Sequence, residues 1–250
     1  MKRGKWQGML AIVRFNWPFY GVAILVFVGA VVGIFLSRDP WVLALCGAIA
    51  AGSGYFLFVS LGVSHLIYDR SDLYRWHWLK RALGGGKRGR IVFCHSGFDE
   101  ASDALRDMLK DAEWRILDHH DPSTMTEASI RRARKLYPPT HVTEAAPFDR
   151  WPIGDGWADV VFGIMAIHEM RTVGERAKWF AEAKRCLADG GRIVVVEHAR
   201  DAANFLAFGP GFLHFHSVKN WERSWEGEGL RLMDNSRITP FVRVFVIGKI

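Results

Sequence analysis

Two uncharged apolar runs near the N-terminus constrain this chain more than any other feature. Residues 19–36 and 41–63 contain no Asp, Glu, Lys or Arg, and only Ser37-Arg38-Asp39-Pro40 separates them. The runs have 18 and 23 residues. At about 1.5 Å of rise per residue, each matches the roughly 30 Å hydrocarbon core of a bilayer. The pattern predicts a transmembrane helical hairpin over residues 17–64, with Pro40 opening the second helix. A buried hairpin of a soluble protein is the alternative. A cleaved signal peptide does not fit, because the first run begins late and the second follows at once. Gly47, Gly52 and Gly54 let helices approach closely, so association of copies into a homo-oligomer through the spans is a further expectation. Residues 1–16 mix Met9, Leu10, Ile12, Val13 and Phe15 with Lys5 and Arg14, which predicts an interfacial helix.

Charge sets the orientation. The formal net charge is +7, and the basic residues crowd around the hairpin. Lys2, Arg3, Lys5 and Arg14 precede it; Arg70, Arg75, Lys80, Arg81, Lys87, Arg88 and Arg90 follow it. The connecting turn has only Arg38, offset by Asp39. The positive-inside rule then places both termini in the cytoplasm, on a multi-pass protein of the cytoplasmic membrane. Eleven Trp suit a bilayer interface, and the placement of the cations favours anionic lipid as partner. The basic stretch 129–135 reads as a solvated helix face with no nucleic-acid motif beside it. Cys46, Cys94 and Cys186 are scattered, which predicts free thiols and no structural zinc.

Residues 65–89 read as a juxtamembrane helix and a linker around Gly84-Gly85-Gly86. After them, apolar strands alternate with helical spacing. Strands are expected at 91–94, 114–117, 140–143, 158–164, 192–197, 230–236 and 242–249. Helices are expected at 101–110, 126–136 and 175–187. The alternation predicts an α/β domain over residues 90–250 with a doubly wound, Rossmann-like sheet. The last two strands are joined only by a turn, which predicts an antiparallel edge hairpin. In such a sheet the ligand lies beyond the carboxyl ends of the strands.

Three motifs then occur in order. Trp151-Pro-Ile-Gly-Asp-Gly-Trp-Ala-Asp-Val-Val-Phe162 resembles the LPFPDGSFDVVF stretch of class I S-adenosylmethionine (SAM)-dependent methyltransferases. Ile164-Met-Ala-Ile-His-Glu-Met170 is similar to their ALHHL segment. The stretch from Phe180 to Glu197 is similar to their FxEaxRVLKPGGRLvlvE. The quinone and lipid methyltransferases are nearest in flavour, and Tyr68-Asp69 with Trp78 resembles the YD…W helix before their fold. The resemblance implies SAM as cofactor and a methyltransferase activity. Together with the hairpin, it implies a small lipophilic acceptor.

The chain departs from the family at the glycine-rich loop after the first strand. Phe93-Cys-His-Ser-Gly-Phe-Asp99 keeps only Gly97 of the usual glycines, and His95 stands where the first one belongs. The resemblance implies cofactor contacts at His95, Gly97 and Asp99, with Asp99 or Glu100 for the ammonium group. Either Asp118 or Asp121 binds the ribose hydroxyls, Phe148 and Asp149 lie on the adenine side, and Ile167 follows the fourth strand. His168 and His198 follow the fourth and fifth strands, where a histidine serves as base near neutral pH. Glu169 or Glu197 orients a neighbouring histidine or caps the sheet edge. Residues 200–217 interleave Asn204, His214 and His216 with Phe205, Phe208, Phe212 and Phe215, an apolar lining with polar handles for an acceptor. Tyr68, Glu169, Asn204, Phe208, His214 and His216 are its expected contacts. His214 and His216 alternate without a third ligand nearby, so no metal site is expected. Two other readings remain: a catalytically silent methyltransferase-like scaffold, and an anchored dinucleotide reductase lacking GxGxxG.

Overall fold

The computed structural model describes residues 4–85, 89–140 and 142–250. Lys2, Arg3, Gly86, Lys87 and Arg88, and His141 of the strand expected at 140–143, lie outside them.

Two long apolar helices come first. Gln7–Leu36 bends at Asn16, whose φ and ψ are −118° and 20°. Pro18 causes this, because it lacks the N–H that would bond back four residues. The Asn16 side chain instead donates to the Ile12 carbonyl at 3.1 Å. Helix Pro40–Arg70 starts on Asp39, whose carboxylate accepts from the N–H groups of Trp41 and Val42. It widens into π-turns at Phe56–Ser60 and Leu66–Arg70. The most apolar windows of the two helices are only 11% and 6% buried, so neither is the core helix of a globular domain. Phe35, Leu36 and Trp41 project outward.

Glycine sets the close approach of these helices at two points. A Cβ at Gly33 would lie 2.7 Å from Cys46 Sγ, and one at Gly54 would lie 3.2 Å from the Phe27 ring. Gly47 and Gly52 meet nothing within 4 Å, so of the three glycines expected at a helix contact only Gly54 makes one inside the hairpin. Before the bend, the first helix docks on the end of the second helix and on the domain. Its Gly8 and Met9 N–H groups donate to the Asp69 carboxylate at 2.7 and 3.0 Å, and Trp6 stacks on His65. Ala11 and Phe15 are buried beside Ala133 and Phe98, so these two face protein rather than lipid.

The domain is a seven-stranded sheet in the order β3-β2-β1-β4-β5-β7-β6. The strands are β1 Arg90–His95, β2 Glu113–Asp118, β3 Thr143–Ala145, β4 Ala158–Ile164, β5 Leu187–His198, β6 Leu230–Thr239 and β7 Val242–Lys249. Strands β1 to β5 are parallel, and β7 runs antiparallel between β5 and β6. The central strands are β-branched and buried on both faces, as parallel sheets covered by helices require. The chain reverses its direction of travel between β1 and β4, and that switch point is where a ligand crevice opens.

Three segments differ from expectation. β3 begins at Thr143, not 140. β5 starts at Leu187, five residues before the expected 192, and includes Asp189-Gly190-Gly191. Helix Val218–Glu226 was not expected; it buries Trp221 and Trp225 against Phe245 and Phe180. Residues 200–217 form helix Ala202–Phe208 and the 3-10 turn Gly209–His214.

Candidate functional site

A cavity of about 740 Å³ opens at the switch point. The hairpin contributes Phe19, Tyr20, Phe56, Ser60, Ser64 and Tyr68. The strand ends contribute Ser96, Phe98, Met165, Ala166, His168 and Glu169, and the segment after β5 contributes Phe208, His214 and Phe215. The apolar N-terminal helices and the polar ends of the sheet thus share one chamber. Met165 leaves β4 with φ of 50°, a left-handed conformation that side chains adopt at some cost.

Glu197 organises the turn after β4. Its Oε1 accepts from the N–H groups of Ala166, Ile167 and His168 at 3.0, 2.8 and 3.2 Å, and its Oε2 lies 2.7 Å from His168 Nδ1. The carboxylate is fully buried and fully used, so Glu197 both caps the turn and orients His168. His168 Nε2 faces Glu169 Oε1 at 3.4 Å, and His214 Nε2 faces the same oxygen at 3.7 Å. Burial opposes the charge on His168, yet Glu197 and Glu169 outweigh it and push its pKa up to about 10. The Glu169 carboxyl is held well below its ordinary value: burial raises it, but hydrogen bonds from His168 and His214 prevail. His168 therefore carries a proton at neutral pH in this arrangement. It is an acid here, not the base the sequence suggested.

His198 lies behind the cavity wall. Its Nδ1 donates to the Phe241 carbonyl at 3.0 Å, because a carbonyl only accepts. That leaves Nε2 to accept from the Tyr68 hydroxyl at 2.9 Å. Burial pushes its pKa down to about 4, so it is neutral at pH 7. The group that reaches the cavity is the phenol of Tyr68, with His198 as its acceptor. Asn204 and His216 are also away from the chamber. Asn204 is buried and donates to Asp201 and to the Phe241 carbonyl. His216 Nε2 accepts from Arg176 at 2.9 Å.

The residues expected to hold the cofactor divide in the same way. His95 and Asp118 are paired across β1 and β2, 3.5 Å apart. Gly97 has φ of +97°, and a Cβ there would lie 2.9 Å from the His120 ring. This is the one glycine of the loop that the backbone requires. Of the two candidate ribose ligands, Asp121 accepts from Ser123, and Asp118 accepts from the His120 N–H and from Arg134. Asp99 accepts from the N–H groups of Ala101 and Ser102 and caps the following helix. Phe148 packs on the core and Asp149 pairs with Lys178 at the surface. Ile167 is wholly buried, with its N–H on Glu197.

These residues fit a nucleoside sulfonium with one rearrangement. Asp118 Oδ2 accepts from Arg134, so that guanidinium must leave before ribose hydroxyls can take its place. The ring nitrogens Nε2 of His95, His119 and His120 are buried without a partner around this carboxylate. Orphaned buried polar atoms are costly; these lie outside the lining of the 740 Å³ cavity, so a ligand meets them only once the loop opens. Glu127, Tyr20, Ser60 and Arg134 are site residues that the sequence did not single out. No local signal marks them, since each arrives through long-range packing.

No family model and no curated protein matches the sequence. Solved structures do. A SAM-dependent methyltransferase from Aquifex aeolicus superposes with a TM-score of 0.53 at 14% identity, covering 70% of this chain and 90% of that one. The mitomycin 7-O-methyltransferase MmcR gives 0.56 at 15%, over 99% of this chain and 74% of that one. The pyocyanin biosynthetic protein PhzM gives 0.54 at 15%, over 93% and 71%. The domain has the class I SAM-dependent methyltransferase fold. In that fold the crevice between β1 and β4 is the chamber described above.

Proposed function

We propose that the chain is a SAM-dependent methyltransferase, anchored in the cytoplasmic membrane by its N-terminal hairpin, that methylates a small lipophilic acceptor. Quinones, phospholipid head groups and hydrophobic aromatics are the acceptor classes. One observation carries this reading: the chamber at the sheet's switch point is walled on one side by the apolar hairpin. A molecule dissolved in lipid reaches it without crossing water. The domain and both termini lie on the cytoplasmic side, following the distribution of Arg and Lys.

Bound SAM supplies an electrophilic methyl group for in-line transfer. The chain's own residues do the rest. Asp118, once Arg134 has moved, accepts from the ribose hydroxyls. Phe19, Phe56, Phe208 and Phe215 exclude water and fix the acceptor's orientation. Tyr68, whose own hydroxyl proton rests on neutral His198 Nε2, accepts a hydrogen bond from an acceptor hydroxyl and orients it. Calorimetry of the detergent-purified chain with SAM and S-adenosylhomocysteine tests the reading. Saturable binding of both is expected, and binding of neither overturns it.

A silent scaffold is the second reading, favoured by the ion pair that closes Asp118. SAM binding without methyl transfer to any component of a whole-lipid extract supports it. Methylation lost in Tyr68→Phe with the fold intact rules it out.

A further inference from the structure

We propose that His168, Glu169 and His214 bind one divalent transition-metal ion at the mouth of the acceptor cavity. The two histidines come from separate segments, the turn Ile167–Glu169 after β4 and the turn Gly209–His214. Their Nε2 atoms nevertheless converge on Glu169 Oε1, at 3.4 and 3.7 Å. All three ligand atoms lie within 4.8 Å of one another. Tetrahedral bonds of about 2.1 Å set ligands roughly 3.4 Å apart, so a modest turn of the His214 ring closes the set.

The outer contacts make the case. His168 Nδ1 sits on Glu197 Oε2 at 2.7 Å, and His214 Nδ1 sits on Glu127 Oε1 at 3.2 Å. A carboxylate on Nδ1 keeps the proton there, so that an incoming ion displaces only the Nε2 proton to solvent and takes that lone pair, the arrangement that orients histidine ligands in metalloproteins. The same device appears twice, aimed at one point. Arg171 donates to the His214 carbonyl at 2.8 Å; at 3.3 Å from His214 Nδ1 the same guanidinium competes with Glu127, at 3.2 Å, for that nitrogen, and an ion on Nε2 resolves the contest by leaving the Nδ1 proton to the carboxylate. Two imidazoles and one carboxylate with open positions suit zinc or iron(II) better than magnesium or calcium. His168, Glu169 and His214 all line the chamber, so the open positions face its contents.

The ion would take an ionised hydroxyl of the acceptor, such as a phenol's. This last step rests on the proposed methyltransferase reading; the binding of the ion does not. The test uses the tag-free full chain in detergent, stripped with chelator and titrated with Co²⁺, with bound metal measured by mass spectrometry and visible absorption. One Co²⁺ per chain with ligand-field bands is expected. His168→Ala and His214→Ala should each weaken binding at least 100-fold. Glu127→Gln, at a half-exposed site that leaves the fold alone, should weaken it about tenfold through the outer contact. His77→Ala, on the surface, should change nothing. No stoichiometric uptake by the folded wild type overturns the proposal, as does unchanged uptake in a folded His168→Ala/His214→Ala double variant. S-adenosylhomocysteine calorimetry on the same samples separates the two readings. Co²⁺ bound without nucleoside binding removes the methyltransferase alone; nucleoside bound without Co²⁺ removes the metal site alone.

Discussion

Single side chains decide whether the crevice accepts a nucleoside. Asp118 is buried between His95 and Arg134, so a nucleoside must compete with protein for its oxygens. Asp118→Ala should reduce SAM affinity at least tenfold, while Arg134→Ala should leave it equal or tighter, both read by calorimetry. Tightening on loss of Arg134 would mark that guanidinium as a competitor for the carboxylate. Histidine burial gives a pH signature. Burial holds both His119 and His198 down at about 4, against about 6.5 in an unfolded chain. A histidine with a lowered folded pKa contributes full stability above pH 6.5 and loses it as pH falls toward 4. By linkage, each such group costs on the order of 2 kcal/mol at pH 5. Melting temperature should therefore drop between pH 7 and pH 5, and His119→Gln should flatten that drop. A pH-independent melting temperature across this window would contradict the buried, neutral assignment.

At the scale of elements, legibility followed period and burial. β4 and β7 match the expected ranges residue for residue, because a run such as Val-Val-Phe-Gly-Ile between polar breaks has only one use in an α/β chain. Helix Val218–Glu226 escaped because its two buried tryptophans sit four apart among Lys219, Glu222 and Arg223, which hide a narrow apolar stripe in a charged segment. Trp221→Ala should cost roughly 3–5 kcal/mol for that reason, measurable by denaturant unfolding in detergent. His168 and His198 were legible as residues at strand ends. Their roles were not, because those depend on Glu197 and Tyr68, which reach them from distant parts of the chain. The docking of the first helix was equally invisible, since it depends on Asp69 some 60 residues away. Asp69→Ala removes the acceptor for two helix N–H groups and should cost about 1–2 kcal/mol. The sign of that loss would be faster proteolysis of the segment before Asn16.

For the whole molecule, orientation is the open prediction. With a cytoplasmic domain, Arg38→Cys lies across the membrane from Lys219→Cys. A membrane-impermeant maleimide should label the first in intact cells and the second only after lysis. The reverse pattern would invert the topology. The helix that follows Asp39 runs without a break from the connecting turn to Arg70, and its last turns carry Tyr68 and Asp69. With one end in lipid, as proposed above, and the other at the chamber, such a rod cannot tilt without moving that phenol. Helices adjust their tilt to hydrocarbon thickness. Acyl-chain length thereby becomes a mechanical setting for an orienting hydroxyl at the far end of the helix, and turnover measured across vesicles of graded thickness should pass through a maximum.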